Sequence, residues 1–403
     1  MIILLFKITG YFTLTENIAI TRALKVVIRT AMTAWIFYLY HQVKTRNRVA
    51  SFTKENTLAP FFYGLYLFMG FMSLLYSTNP GYSLLQLVMN IESFVFAWKY
   101  IQTFILVRHC YPNHGFRLGR LTAPAIFMIQ LAFIIGKYVA PDQFFRLTHG
   151  GEVARLGGYL MNPNELGMLA VVGIACCIME LAEGASRWKN LGMLLVILYA
   201  LVLTGSRSSM IGFMLILFYF INKSDSAKLK MAVYVAGILA IPVIVQTIFI
   251  KQGDIEEVLS MTGRLPFWKA LLTEGLPKEP WFGFGYMRIA YTEAFQSVHT
   301  YAGKMTHNTF IQVLMNLGFV GFFIVLLQMT FTIRAFTLSK NKTDKAYFTG
   351  LFIPILINSF TEFGIFGETN YGILFWQLLT WLFVFEYNPR LSLREMVLQL
   401  EKR

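Results

Sequence analysis

The residues of this chain that could do chemistry lie in four separated stretches. "ARLGGYLMNPNELG" (154–167) carries Arg155 ahead of Asn162, Pro163 and Asn164. "LTGSRSSMIGF" (203–213) sets Arg207 among Ser206, Ser208 and Ser209, and "MTGRLPFWKALL" (261–272) places Arg264 and Trp268 four residues apart. "KMTHNTFIQVLMNLGFVGFF" (304–323) carries His307 and Asn308 at the edge of a long apolar run, followed by Gly318 and Gly321. Guanidinium groups are forked donors that match phosphate oxygens, and a neutral imidazole, with a reference pKa of about 6.5, can take a proton from a hydroxyl near neutral pH. A reaction in which a diphosphate leaves and an alcohol attacks needs both services.

Each stretch alone has a plainer reading. An arginine at the centre of a membrane span costs about 2.5–3.5 kcal/mol, so Arg207 belongs at a membrane lip or in a wet cavity, and a hairpin turn with a snorkelling side chain would account for it. Asn162 suits a helix N-cap, with Pro163 at the first position and Glu165 in the first turn; Asn164 is the other candidate cap. Arg155 has no comparable local explanation. A lone histidine is more often structural than catalytic. Gly283-Phe284-Gly285 lacks the preceding strand and third glycine of a dinucleotide loop and reads as a flexible turn.

The elements that must position these residues are membrane helices. Of 403 residues, 56% are apolar and only 14% charged, and the mean hydropathy is +0.56, which excludes an ordinary water-soluble domain of this size. Apolar runs near the ~20 residues that cross a ~30 Å hydrocarbon layer recur along the chain. Spans are expected at 26–43, 58–77, 84–107, 121–140, 165–183, 191–205, 208–222, 231–250, 309–333, 347–363 and 371–387. Residues 2–20 could form a twelfth, or an interfacial helix, since Lys7 and Glu16 interrupt them. The basic trio Arg22, Lys25 and Arg29 fits neither choice well. The N-terminal stretch lacks the basic leader and small-residue cleavage site of a signal peptide.

Lysine and arginine set the orientation. The breaks at 44–57, 108–120, 184–190, 223–230, 334–346 and the tail from 388 hold 4, 3, 2, 3, 4 and 4 of them, whereas 78–83 and 364–370 hold none, 141–164 holds Arg146 and Arg155, the turn at 206–207 holds Arg207 and the long 251–308 stretch holds six. The first set is read as cytoplasmic and the alternate set as outward-facing. Arg155, Arg207, Arg264 and His307 then all fall on the outward side, as does the long 251–308 stretch, which has the length of a lid or binding element. Glu362 and Glu368 are outward too and are read as solvated in preference to positioning an acceptor. The formal charge of +14 is scattered over short loops, which argues for topology and against nucleic acid. Cys110, Cys176 and Cys177 show no metal-ligand spacing, and no metal or other cofactor is expected.

The fold class expected is an all-α polytopic membrane protein of about 11–12 transmembrane helices. Residues 1–403 form one domain with a long outward loop at 251–308 containing short helices. Arg155 before Asn-Pro-Asn, then Ser206-Arg207-Ser208, Gly263-Arg264 with Trp268, Gly283-Phe284-Gly285 and His307-Asn308 occur in an order that resembles the O-antigen ligase and polymerase superfamily, over roughly residues 120–385. His-Asn, nine residues, Gly318, two residues, Gly321 is similar to the signature of the ligase branch. The arginine followed sixteen positions later by glycine, found in some polymerases, is absent: Val171 follows Arg155 and Pro280 follows Arg264 at that distance.

The resemblance implies a metal-independent, inverting glycosyltransferase at the periplasmic face of the bacterial inner membrane. Its donor would be an undecaprenyl diphosphate-linked glycan, passed whole to an acceptor hydroxyl on the lipid A core among the membrane lipids. Arg207 and Arg264 would stabilise the departing diphosphate and His307 would act as base. Arg155, Asn162, Asn164, Ser206, Trp268 and Asn308 would bind substrate. Alternatives are a polymerase of the same superfamily, a protein O-oligosaccharyltransferase, or a lipid-linked glycan transporter, which would spread its polar residues over both faces on broken helices.

Overall fold

The computed structural model describes residues 1–47, 51–148, 153–244, 264–286, 306–362, 364–367 and 370–388. They form fourteen α-helices: α1 Ile2–Thr9, α2 Ile18–Arg46, α3 Leu58–Met72, α4 Pro80–Cys110, α5 Leu118–Val139, the single turn α6 Pro141–Phe144, α7 Pro163–Ala182, α8 Arg187–Thr204, α9 Arg207–Lys223, α10 Ala227–Ile244, α11 Arg264–Ala270, α12 Thr309–Leu338, α13 Lys342–Ser359 and α14 Tyr371–Leu382. Two short antiparallel ladders complete the described residues. β1 (Ser51–Lys54) pairs with β4 (Phe385–Asn388), and β2 (Phe145–Thr148) pairs with β3 (Val153–Leu156), which sets Arg146 opposite Arg155.

This is an all-α, multi-pass membrane protein. By length and composition α2, α3 with its short continuation to Leu75, α5, α7, α8 and α12 are each able to cross a bilayer. Each of the eleven stretches expected to cross falls on a helix, although α10 is described only to Ile244 and α14 stops at Leu382. Residues 2–20 do not make a twelfth span. They break at Gly10 after the eight-residue α1, whose Lys7 is fully buried.

Helix α7 is the axis of the fold, its apolar residues almost wholly buried. It packs against α5, α8, α9 and α13. Its close approach to α9 depends on Gly167, where a Cβ would lie 2.6 Å from Ser209 Oγ. Side-chain caps start the helices that matter for the site. Asn162 Oδ1 accepts from Asn164 N at the head of α7, Ser206 Oγ from Ser209 N at α9, and Asn308 Oδ1 from Phe310 N and Ile311 N at α12.

Helix α12 is not the uninterrupted span the sequence suggests. Gly318 adopts φ 62°, ψ −163°, which breaks the helical ladder and frees backbone groups that have no water to satisfy them in a bilayer. The segment 280–285 satisfies them. Phe319 N donates to Pro280 O (2.8 Å) and Val320 N to Trp281 O (3.2 Å), while Met315 O and Asn316 O accept from Phe284 N and Gly285 N at 2.9 Å each. Gly283-Phe284-Gly285 is therefore a docked backbone plug, not a flexible turn. A Cβ at residue 318 would sit 2.3 Å from the Trp281 carbonyl carbon, so only glycine fits the break.

Candidate functional site

His307 is the residue before the α12 N-cap, and it holds a left-handed backbone with φ 50°. A non-glycine side chain in that region is held there by its surroundings, and such positions concentrate at functional sites. The surroundings are identifiable. Trp268 Nε1 donates to Thr306 O at 2.6 Å, and Thr306 Oγ1 donates to Asn308 O at 2.9 Å. The ring is then oriented by a carboxylate: His307 Nδ1 lies 2.7 Å from Glu362 Oε2.

Glu362 sits in the connection between α13 and α14, and its side chain is only 5% exposed. Burial by itself pushes its carboxyl up, but His307, Arg264 and Asn164 together outweigh that and hold it down to about 2. An ionised carboxylate can only accept, so the His307 Nδ1 facing it is the donor. Nε2 has no partner among the described residues, and the imidazole is 31% exposed. The partly exposed ring with one nitrogen held by Glu362 is an arrangement that could serve as a base.

The other oxygen of Glu362 draws in the remaining elements. Oε1 accepts from Asn164 Nδ2 at 2.8 Å and from Arg264 Nη2 at 3.1 Å. Arg264 Nη1 also donates to Thr361 O. Asn164 Oδ1 in turn accepts from Arg155 Nη2 at 2.7 Å, and Arg155 Nε donates to Thr204 O at 2.7 Å, at the end of α8. One polar chain thus runs from Arg155 on β3 through Asn164 on α7 to Glu362, and from there to Arg264 on α11 and His307 before α12. Turning the strand into α7 requires Gly158 at φ 59°, where a Cβ would meet Gln143 O at 2.1 Å.

Arg207 opens α9 beside this chain. Ser209 Oγ donates to Asn164 O at 3.2 Å and contacts Ser206 Oγ at 2.7 Å, which sets the start of α9 against the start of α7. Burial pulls the Arg155 guanidinium down to about 10, and the nearby charges of Arg207, Arg146 and Arg264 pull the same way against Glu362. Arg155 remains charged at neutral pH. Arg264 contacts the carboxylate, Arg155 reaches it through Asn164 with Arg207 within electrostatic reach of Arg155, and the N-termini of α7 and α12 adjoin it, a field that favours a further anion.

The expected site residues divide into two groups. Arg155, Asn164, Arg264 and His307 join one network, with Arg207 within electrostatic reach of it. Asn162, Ser206 and Asn308 spend their side-chain oxygens on helix caps, and Trp268 spends its indole N–H on Thr306, so these four hold the backbone that carries the others. The reading of Glu362 as a solvated residue is corrected: it is buried and links the network, and nothing in the sequence of its connection distinguishes it from a solvated glutamate. Glu368 lies outside the described residues. Among the described residues no group of three or more His, Cys, Asp or Glu side chains is placed to hold a metal ion.

With this geometry in hand, comparison with known proteins is direct. Residues 192–326 match the O-antigen ligase family. The matched segment contains Arg207, Arg264, His307, Gly318 and Gly321, so the superfamily expected from the order of motifs is the one found. Members of the O-antigen ligase family act on lipid-linked glycans and acceptor substrates. The chain is also similar, at 24% identity over 241 residues, to a ComP-specific O-oligosaccharyltransferase of Acinetobacter baylyi. That alignment takes in 54% of this chain and 43% of the relative, so the chain spans less than half the length of that protein.

Proposed function

We propose that the protein is a glycan ligase that transfers a glycan whole from undecaprenyl diphosphate to an acceptor hydroxyl, with lipid A core as the acceptor, at the periplasmic face of the bacterial inner membrane. The observation that carries this reading is the His307–Glu362 pair set beside Arg155, Arg207 and Arg264. His307 Nε2 takes the proton of the acceptor hydroxyl as its oxygen attacks the anomeric carbon. Glu362 holds the ring and stabilises the imidazolium that forms. The C–O bond to the diphosphate breaks on the opposite face of the sugar, its electron pair leaves with the phosphate oxygen, and Arg207 and Arg264 take up the charge. Direct attack inverts the anomeric centre. The chain's own cations supply the charge stabilisation, so the reaction is proposed to proceed without a metal.

The excess of basic residues in the loops read as cytoplasmic supports the periplasmic orientation of the site. The break at Gly318 does not favour a transporter, because its freed backbone groups are taken by segment 280–285. A second reading, a protein O-oligosaccharyltransferase, is favoured by the similarity to the Acinetobacter baylyi enzyme. The same donor chemistry serves both readings and a polymerase; the acceptor differs. Purified protein given a carrier-linked glycan and, in separate reactions, lipid A core, a second carrier-linked glycan and an acceptor protein tests the assignment. Gel mobility of the product identifies the acceptor, and a product with lipid A core alone is expected.

A further inference from the structure

Helix α2 carries Arg22, Lys25 and Arg29 at spacings of three and four, which is one face of a helix. This face lies at the same end of the molecule as the His307 network. Thr13 N donates to Leu160 O at 2.9 Å and Tyr159 Oη donates to Thr15 O at 2.5 Å, which ties the α1–α2 connection to the loop between β3 and α7. That end is the one read as outward-facing, where the orientation rule calls for no basic cluster, so topology does not explain the trio.

The three side chains line a cavity of about 400 Å³ between α2, the start of α4 and Tyr159. Thr15, Tyr82 and Gln86 add polar groups to its wall, and no carboxylate is among its described lining residues. Arg29 is only 2% exposed. Its Nη2 donates to Met89 O at 2.6 Å and lies 3.2 Å from Glu92 Oε2, its guanidinium lies 4.2 Å from the Tyr11 ring centroid, and its Nε is buried without a hydrogen-bond partner. Glu92 is shared with Lys7, which is fully buried. Arg29 thus shares its carboxylate with a second basic group and keeps a buried donor unsatisfied, which an anion in the cavity would satisfy. Beside the cavity, α2 exposes Ile20 and Val27 and α4 exposes Leu84 and Val88, a surface suited to acyl chains.

We propose that this cavity binds the phosphate headgroup of an anionic membrane lipid, with the chains lying along the apolar faces of α2 and α4. The site is distinct from the arginines of the His307 network and does not depend on the transfer reaction.

Native mass spectrometry of the full-length protein in neutral detergent, titrated with phosphatidylglycerol or phosphatidylcholine, tests it. The wild type should retain phosphatidylglycerol in preference. Arg22→Gln/Lys25→Gln should weaken that retention roughly thirtyfold, at about fivefold per surface cation, and leave phosphatidylcholine retention unchanged. Lys44→Gln/Arg46→Gln, at the opposite end of α2, should keep the preference. Equal retention of the two lipids, an unchanged preference in the first variant, or an equal loss in the second overturns the proposal. Displacement of the lipid by inorganic phosphate at matched concentration also overturns it, because the site would then be one for a free anion.

Discussion

Glu362 stands 55 residues along the chain from His307, yet its Oε2 lies 2.7 Å from His307 Nδ1 while its Oε1 holds Asn164 and Arg264. A single buried carboxylate therefore orients the His307 imidazole and links three separate parts of the chain. Removing the imidazole would still leave Glu362 its contacts with Asn164 and Arg264.

His307→Ala should lower the transfer rate by about 10²–10⁴-fold, the usual contribution of a positioned general base. Expression and donor affinity should stay near wild type, since the imidazole is partly exposed and its contact with Glu362 is made at the edge of the network. Steady-state rates with a defined donor and acceptor, alongside donor titration, check this.

Glu362→Gln should cut turnover about a hundredfold by weakening the hold on the His307 tautomer, with a smaller change in donor affinity. It should also alter acid sensitivity. The Glu362 carboxyl is held down to about 2 in the fold against its ordinary 4.5, so its ionised form stabilises the protein. That contribution is whole above pH 4.5 and is lost as the pH falls toward 2. Thermal unfolding followed between pH 7 and pH 3 should therefore be less steep with pH in the Gln variant.

Arg207→Lys and Arg264→Lys should each reduce transfer about ten- to a hundredfold, because a point charge cannot reproduce forked contacts to phosphate oxygens. Arg264→Lys should also lower stability, since Arg264 bridges Thr361 and Glu362. Unchanged turnover in both variants would assign these arginines to topology alone.

Gly318→Ala should destabilise the protein by about 1–3 kcal/mol, the cost of a side chain at a left-handed position made worse by the Trp281 backbone. A lowered thermal midpoint in detergent, with protease sensitivity appearing in segment 280–285, is the expected result.

Much of the fold was legible in the sequence because membrane spans obey a length rule and helix starts obey capping rules. Asn162 caps α7 as its neighbours imply, and each expected span falls on a helix; that Ser206 and Asn308, read as substrate-binding, cap α9 and α12 was not read from the sequence. The arginines and His307 were legible as types suited to a diphosphate and a hydroxyl. Glu362 was not, because a lone glutamate reads the same whether solvated or buried, and its partners lie 55, 98 and 198 residues away. The role of Gly283 and Gly285 was equally hidden. Backbone pairing with a broken helix leaves only glycines in the sequence, and those also suit a loose turn.

The central claim is that His307, set by Glu362 beside three arginines, drives a covalent transfer from a lipid diphosphate. The most direct measurement is single-turnover transfer in proteoliposomes containing undecaprenyl diphosphate-linked glycan and lipid A core, comparing wild type with His307→Ala. The account predicts a mobility-shifted conjugate from the wild type and little or none from the variant. Conjugate formed equally by both, or by neither while donor is bound and moved across the bilayer, would contradict it.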